Sequence, residues 1–204
     1  MHSPKFLAVL VSCQKERELW SGWRFEDAVI VYGDPDQEES YRLNDNLLSL
    51  RCPDTYEDLP FKMVSAFHAF LELGVFRDYS HIIKIDGYDT EYSEQTILNL
   101  LEVDLDLLDY AGRRVETLTP GDRTYHFGKV SPDSHWHDVE YAGPYVPWAC
   151  GGGSYVLSRE SIEIVCRKYS LEDYKEVATE HVFEDVMIAL ILSEHQIFPK
   201  ELSY

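Results

Sequence analysis

Apolar residues recur along this chain in two rhythms. Short runs such as "KFLAVLVS" (5–12) and "DAVIVYG" (27–33) are rich in β-branched residues and end on serine or glycine, so they are predicted as buried strands. "LLSLRC" (47–52) and "HIIKID" (81–86) read the same way, and "CQKERELWSGWRFE" (13–26) predicts a short helix and loop between the first two. Over "DLPFKMVSAFHAFLELG" (58–74) the rhythm changes. Met63, Phe67, Phe70 and Leu71 fall on one helical face, with Pro60 near the start and Gly74 past the end. "SEQTILNLLE" (93–102) predicts a helix with Ser93 as its N-cap. "SYVLS" (154–158) predicts a strand, and "RESIEIVCRKY" (159–169) and "VFEDVMIALILSEHQI" (182–197) predict the last helices. From about residue 110 to 150 no period holds, and Pro, Gly, His and aromatic residues crowd together. A long irregular stretch of that kind inside a compact fold is usually functional.

Strand–helix alternation predicts an α/β fold in one domain (1–204), with a largely parallel central sheet flanked by helices. In open sheets of this class, ligands sit beyond the carboxyl ends of the strands. The 45% hydrophobic and 13% aromatic content supports a globular core. No apolar run approaches the roughly 18 residues of a membrane span. The first apolar run lacks a small-residue cleavage site, and the four cysteines form no C-x-x-C pair. A soluble protein with reduced thiols in a cytoplasmic setting is therefore expected. A net charge of −19 argues against nucleic acid and anionic membranes as partners. It also means that a phosphorylated ligand needs a divalent cation or a local pocket of positive charge.

Several residues could carry chemistry. Asp86 and Asp89 follow the strand "HIIKID" and form either a turn or a site for a hard divalent cation such as Mn²⁺ or Mg²⁺, which is held by one or two carboxylates plus phosphate oxygens. Gly151, Gly152 and Gly153 either make a turn before "SYVLS" or let backbone approach a ligand closely. Glu184 and Asp185 open an apolar helix, where acids favour the positive end of the helix dipole and could equally supply a general base. Lys62 and Lys84 stand out because cations are scarce. His195 is the histidine best suited to complete a cation site with the aspartates. His135 and His137 read as loop, with Trp136 a candidate ligand contact.

The order of these blocks resembles the family 31 glycosyltransferases, which include the β1,3-galactosyltransferases and fringe-type enzymes. "DTYEDLPFKMVSAFHAFLEL" is similar to the family's Tyr-x-Asn-Leu-Thr-Leu-Lys helix, and "IIKIDGYD" resembles its Lys-Thr-Asp-Asp-Asp metal motif. "YVPWACGGGSYVLSRE" matches its triple-glycine segment, and "FEDVMIALIL" its Glu-Asp-Val helix. The resemblance implies a GT-A fold and an enzyme that moves a hexose from a UDP-sugar to a glycan or glycoprotein hydroxyl. It implies Mn²⁺ or Mg²⁺ at Asp86 and Asp89, donor contacts from Ser12, Lys62, Lys84 and Gly151 to Gly153, and Asp185 as base beside Glu184. The spacer Gly87-Tyr88 departs from the family's motif, so one aspartate is expected to act through water. Similar compact GT-A domains occur in large DNA viruses of algae. A sugar-phosphate nucleotidyltransferase should carry a glycine-rich, Arg/Lys-containing loop after the first strand, and "LVSCQKERELW" has lysine but no glycine, which counts against it; a nucleotide-sugar or glycan-binding module without turnover remains the alternative.

Overall fold

The computed structural model describes residues 5–22, 27–86, 108–116, 123–144, 146–152 and 154–202. The helix predicted over 93–102 lies outside them. The strands are β1 (Phe6–Val11), β2 (Ala28–Gly33), β3 (Tyr41–Asn44), β4 (Leu47–Leu50), β5 (His81–Asp86), β6 (Tyr110–Gly112), β7 (Arg114–Val115), β8 (Trp148–Ala149), β9 (Ser154–Ser158) and β10 (Lys200–Glu201). The helices are α1 (Leu59–Glu72), α2 (Arg159–Lys168), α3 (Tyr174–Glu180) and α4 (Glu184–Ser193). Eight strands form one sheet in the order β10-β6-β9-β5-β1-β2-β4-β3, and β7 pairs with β8 apart from it.

Side chains alternate across β1. Leu7, Val9 and Val11 join the core beneath α1, α2 and α4, whereas Ala8 and Leu10 pack with Trp20, Ile30, Ile83, Ile85 and Val156 on the other face. Burial on both faces explains why the strands read as continuous apolar runs. The face predicted for α1 is the buried one: Met63, Phe67 and Phe70 are enclosed and Leu71 packs at the margin.

The α/β architecture agrees with the predicted fold class, and the sheet is more mixed than expected. Neighbours β1/β2, β1/β5, β2/β4 and β6/β10 run parallel, while β3/β4, β5/β9 and β6/β9 are antiparallel. β9 reverses because the chain enters it from the glycine turn at the carboxyl end of β5, pairing Ser154 with Ile85 and ending at Ser158 opposite His81. The stretch after β1 forms 3₁₀ turns over Gln14–Gly22, pinned by the Trp20 indole N–H on Ser12 Oγ (2.8 Å). β3 was not predicted. It folds back on β4 through Asp45, which takes a left-handed φ of 51°. Strands β6 to β8 fall in the stretch read as irregular. Among the described residues no helix is long and apolar enough to cross a membrane.

One half-buried carboxylate ties the ends of β1 and β2 to α1. Asp54 Oδ1 accepts from the Gly33 amide (2.7 Å) and from Lys62 Nζ (2.6 Å), and Oδ2 accepts from the Gln14 amide (2.6 Å). Lys62 Nζ also donates to the Ser12 carbonyl at 3.2 Å. Gly33 permits this approach, because a Cβ there would lie 2.7 Å from the Pro53 carbonyl oxygen. Replacing Asp54 would strand a buried ammonium and two amides. Asp54→Ala is expected to destabilise the fold by about 3 kcal/mol in urea unfolding. Glu163→Ala, which removes the exposed 3.9 Å pair with Arg167, should change it by less than about 1 kcal/mol.

Candidate active site

The carboxyl ends of β1 and β5 open into a cleft with two adjoining lobes. The chain leaves β1 for β2 on one side of the sheet and returns through α1 to β5 on the other, so the cleft lies where the strand order reverses. The first lobe, of ≈ 240 Å³, is bounded by Ser12, Glu16, Asp54, Tyr56 and Lys62. The second, of ≈ 220 Å³, is bounded by Lys84, Lys129, Gly151, Gly152, Glu184 and Asp185. Asp86, Tyr56 and Leu59 line both.

Lys84 organises the second lobe. Alternation along β5 turns Lys84 and Asp86 to the same face as Ile82, under the amino end of α4. The Lys84 ammonium is buried and donates to Asp86 Oδ1 (2.5 Å) and to the Gly151 carbonyl (2.8 Å). Burial alone would lower its pKa, but the charges of Asp86 and then Glu184 raise it above the ordinary lysine value. Gly151 has to be small, since a Cβ there would sit 2.9 Å from Glu184 Oε2.

The adjacent acids Glu184 and Asp185 are held in different ways. Glu184 Oε1 accepts a hydrogen bond from the buried Tyr155 hydroxyl. Burial pushes the Glu184 carboxyl up to about 7; Lys84 opposes that rise, and Asp185 adds to it. Asp185 Oδ1 takes His126 Nε2 (3.0 Å) and the Val186 amide (2.9 Å), while Oδ2 takes the Gly151 amide (3.2 Å). Burial would raise the Asp185 pKa as well, but the His126 contact and the Gly151 amide outweigh it and leave the carboxyl below its ordinary value.

The predicted residues divide clearly. Lys84, Asp86, Gly151, Gly152, Glu184 and Asp185 meet in one lobe, and Ser12 and Lys62 meet Asp86 in the other. Lys62 and Ser12 are largely committed to holding the fold: Lys62 to Asp54, and the Ser12 hydroxyl to Glu16 (2.8 Å) and Trp20. His195 is not brought to Asp86. It is exposed in the turn after α4, about 15 Å along the helix from Asp185 at 1.5 Å per residue. Asp89 and Gly153 lie outside the described residues. Several residues of the site were missed, among them Tyr56, Tyr155, His126 and Lys129. Tyr155 stood inside the predicted "SYVLS" strand as a polar-tipped residue among apolar ones, while His126 and Lys129 came from the stretch without periodicity.

The donor set suits a hard divalent cation that shares its coordination with substrate oxygens. Asp86 offers one carboxylate, 25% exposed, and a Cβ on Gly152 would stand 3.7 Å from its Oδ2. Among the described residues no three His, Cys, Asp or Glu side chains gather into a self-sufficient cage.

A family model described as galactosyltransferase matches residues 36–203, which takes in α1, Asp86, the glycine turn and the start of α4. The chain belongs to the galactosyltransferase family. It is therefore a glycosyltransferase, and it has to receive a sugar donor and an acceptor. The family match supports the resemblance drawn from the motifs. No curated protein matches the chain.

Because the folded state keeps a proton on Glu184 that the unfolded chain releases above 4.5, this group's contribution to stability is complete below about 4.5 and is lost as pH rises through about 7. Glu184→Gln keeps an acceptor for Tyr155 and carries no charge. Its unfolding temperature relative to the parent protein should therefore climb between about pH 5 and about pH 8. A difference independent of pH would mean that Lys84 fully balances the Glu184 charge.

Proposed function

We propose that this glycosyltransferase transfers a hexose from a UDP-sugar to a glycan or glycoprotein hydroxyl with inversion, with Asp185 as general base and Mn²⁺ or Mg²⁺ bound at Asp86. The observation that carries this reading is the position of Asp86 where the two lobes join, with the Glu184–Asp185 pair across the second lobe. A nucleotide-sugar has two parts joined by a diphosphate, and two lobes joined at a carboxylate match that division. The nucleoside belongs in the lobe beside Ser12 and Tyr56, and the sugar and acceptor in the lobe floored by Gly151 and Gly152.

Charge favours a cation at the junction. The chain carries −19, and both buried lysines of the cleft are already paired, Lys62 with Asp54 and Lys84 with Asp86. Asp86, with Asp89 three residues on, would hold the cation. When bound, it neutralises the diphosphate and acts as a Lewis acid for its departure.

Asp185 is suited to the proton transfer. A carboxylate offers about four lone-pair sites, and three are taken by His126, Val186 and Gly151. The remaining site, on Oδ2, can accept the acceptor's hydroxyl. As that oxygen bonds to the anomeric carbon, the bond from that carbon to the diphosphate breaks. The electron pair leaves with the nucleotide and the proton passes to Asp185. Glu184 is the competing candidate, favoured by its pKa of about 7.

Calorimetric titration with UDP should show binding in Mn²⁺ that EDTA removes. Binding that ignores the metal would keep the nucleotide pocket and remove the role given to Asp86. Once a UDP-sugar is turned over, Asp185→Asn should lower kcat by about 10²–10⁴-fold with UDP binding retained. A larger loss in Glu184→Gln than in Asp185→Asn would transfer the base to Glu184.

A further inference from the structure

His126 is buried at 2% exposure beside a carboxylate in the site, yet the ring makes only half of its hydrogen bonds. Nε2 meets Asp185 Oδ1 at 3.0 Å, and among the described residues Nδ1 has no partner. The ring lies flat on Phe183, with centroids 4.0 Å apart and planes 12° from parallel, and Trp148 packs at 5.9 Å. An ionised carboxylate can only accept, so Nε2 carries the hydrogen. Nδ1 is then a buried polar atom left without a hydrogen bond among the described residues, in an aromatic stack.

That arrangement is a poor way to gain stability. A phenylalanine in the same place would keep the stacking and bury no orphaned nitrogen. What only a histidine or another donor supplies is the N–H on Asp185. With the Val186 amide, this N–H occupies both sites of Oδ1, so the remaining acceptor capacity sits on Oδ2, the oxygen that also receives Gly151.

We propose that His126 is a positioning residue for Asp185: its Nε2–H fixes the carboxylate in one orientation and keeps it ionised, so that Oδ2 is the oxygen presented to the acceptor. This inference rests on Asp185 being the base. Phe183, which carries the ring, is the residue immediately before α4, so the helix start that delivers Asp185 also seats its partner.

Other charged and titratable groups surround Asp185. Glu184 precedes it on α4, Lys84 and Asp86 come from β5, and Lys129 comes from the segment that carries His126. Tyr56 lies before α1, Tyr110 and Tyr155 come from β6 and β9, and Cys150 adjoins the glycine turn with its thiol on the Tyr125 hydroxyl at 2.7 Å. His126 is the side chain that donates a hydrogen bond to Asp185. Removing the His126 donor is therefore the direct way to perturb it.

The test uses His126→Phe, which keeps the stack without the donor, and His126→Gln, which returns an N–H near the position of Nε2. The probe is UDP-galactose hydrolysis in Mn²⁺, followed across pH, together with a ¹³C-carboxyl NMR titration of Asp185. His126→Phe should unfold no earlier than the parent protein, yet lose at least about tenfold in kcat with little change in KM. The acid limb of its profile and the Asp185 titration should both move up by about one pH unit. His126→Gln should recover much of each. An unmoved titration and acid limb in His126→Phe, in a protein where Asp185→Asn abolishes turnover, would overturn the role of His126 and leave the base intact. Full turnover in Asp185→Asn would instead overturn the base assignment. Should UDP-galactose not be hydrolysed, the NMR titration decides alone: a shift supports the inference, and no shift removes it.

Discussion

A lysine buried in the middle of a sheet is the constraint on which this site depends. Lys84 sits two residues before the end of β5, on the same face as Asp86, and its ammonium can be tolerated there only if acceptors and negative charge surround it. Asp86 comes from the same strand, the Gly151 carbonyl from the turn into β9, and the charges of Glu184 and Asp185 from the start of α4. Three chain segments far apart in sequence are thereby held around one cation. The antiparallel pairing of β9 with β5 places the glycine turn against the carboxyl end of β5, where the Gly151 carbonyl reaches Lys84.

What could be read in the sequence divides along physical lines. β1, β2, β5 and α1 were legible because burial on a strand or on one helix face leaves a period in the chain. Lys84, Asp86, Gly151, Glu184 and Asp185 were legible as motif residues. Strand direction was not, since a buried strand has the same pattern whichever way it runs, and β9 is where that ambiguity mattered. His126 was illegible for another reason. Its partner lies 59 residues away, and the segment around it, held by turns and by contacts such as the Arg123 guanidinium on the Tyr141 carbonyl (2.6 Å), has no period to report its burial. His195 shows the converse limit: it follows the far end of the helix that opens with Glu184 and Asp185, and a helix carries its two ends apart.

Electrostatics links the whole molecule to the cleft. A chain of −19 repels anionic ligands at long range, and the cleft does little to reverse this, because Lys62 and Lys84 each face a carboxylate at 2.6 and 2.5 Å. Their charges serve the fold first. Lys129, held over the Tyr125 ring at 4.0 Å, is the exposed cation of the second lobe. The arrangement therefore suits a ligand that brings compensating charge with it, which is how a metal-complexed diphosphate differs from a free one.

Two neighbouring acids on one helix turn have been moved in opposite directions by their surroundings. Glu184 faces a tyrosine and a lysine and is pushed up to about 7 mainly because it is buried. Asp185, equally enclosed, is met by three hydrogen-bond donors and falls below its ordinary value. Environments that separate the pKa values of adjacent carboxyls are a means of giving them separate roles. Two full negative charges side by side among buried groups would repel each other strongly. A carboxyl raised to about 7 on Glu184 eases that repulsion, and the three donors on Asp185 favour its ionised form. The pair can then be read as one unit in which Glu184 absorbs the electrostatic strain that lets Asp185 remain a carboxylate.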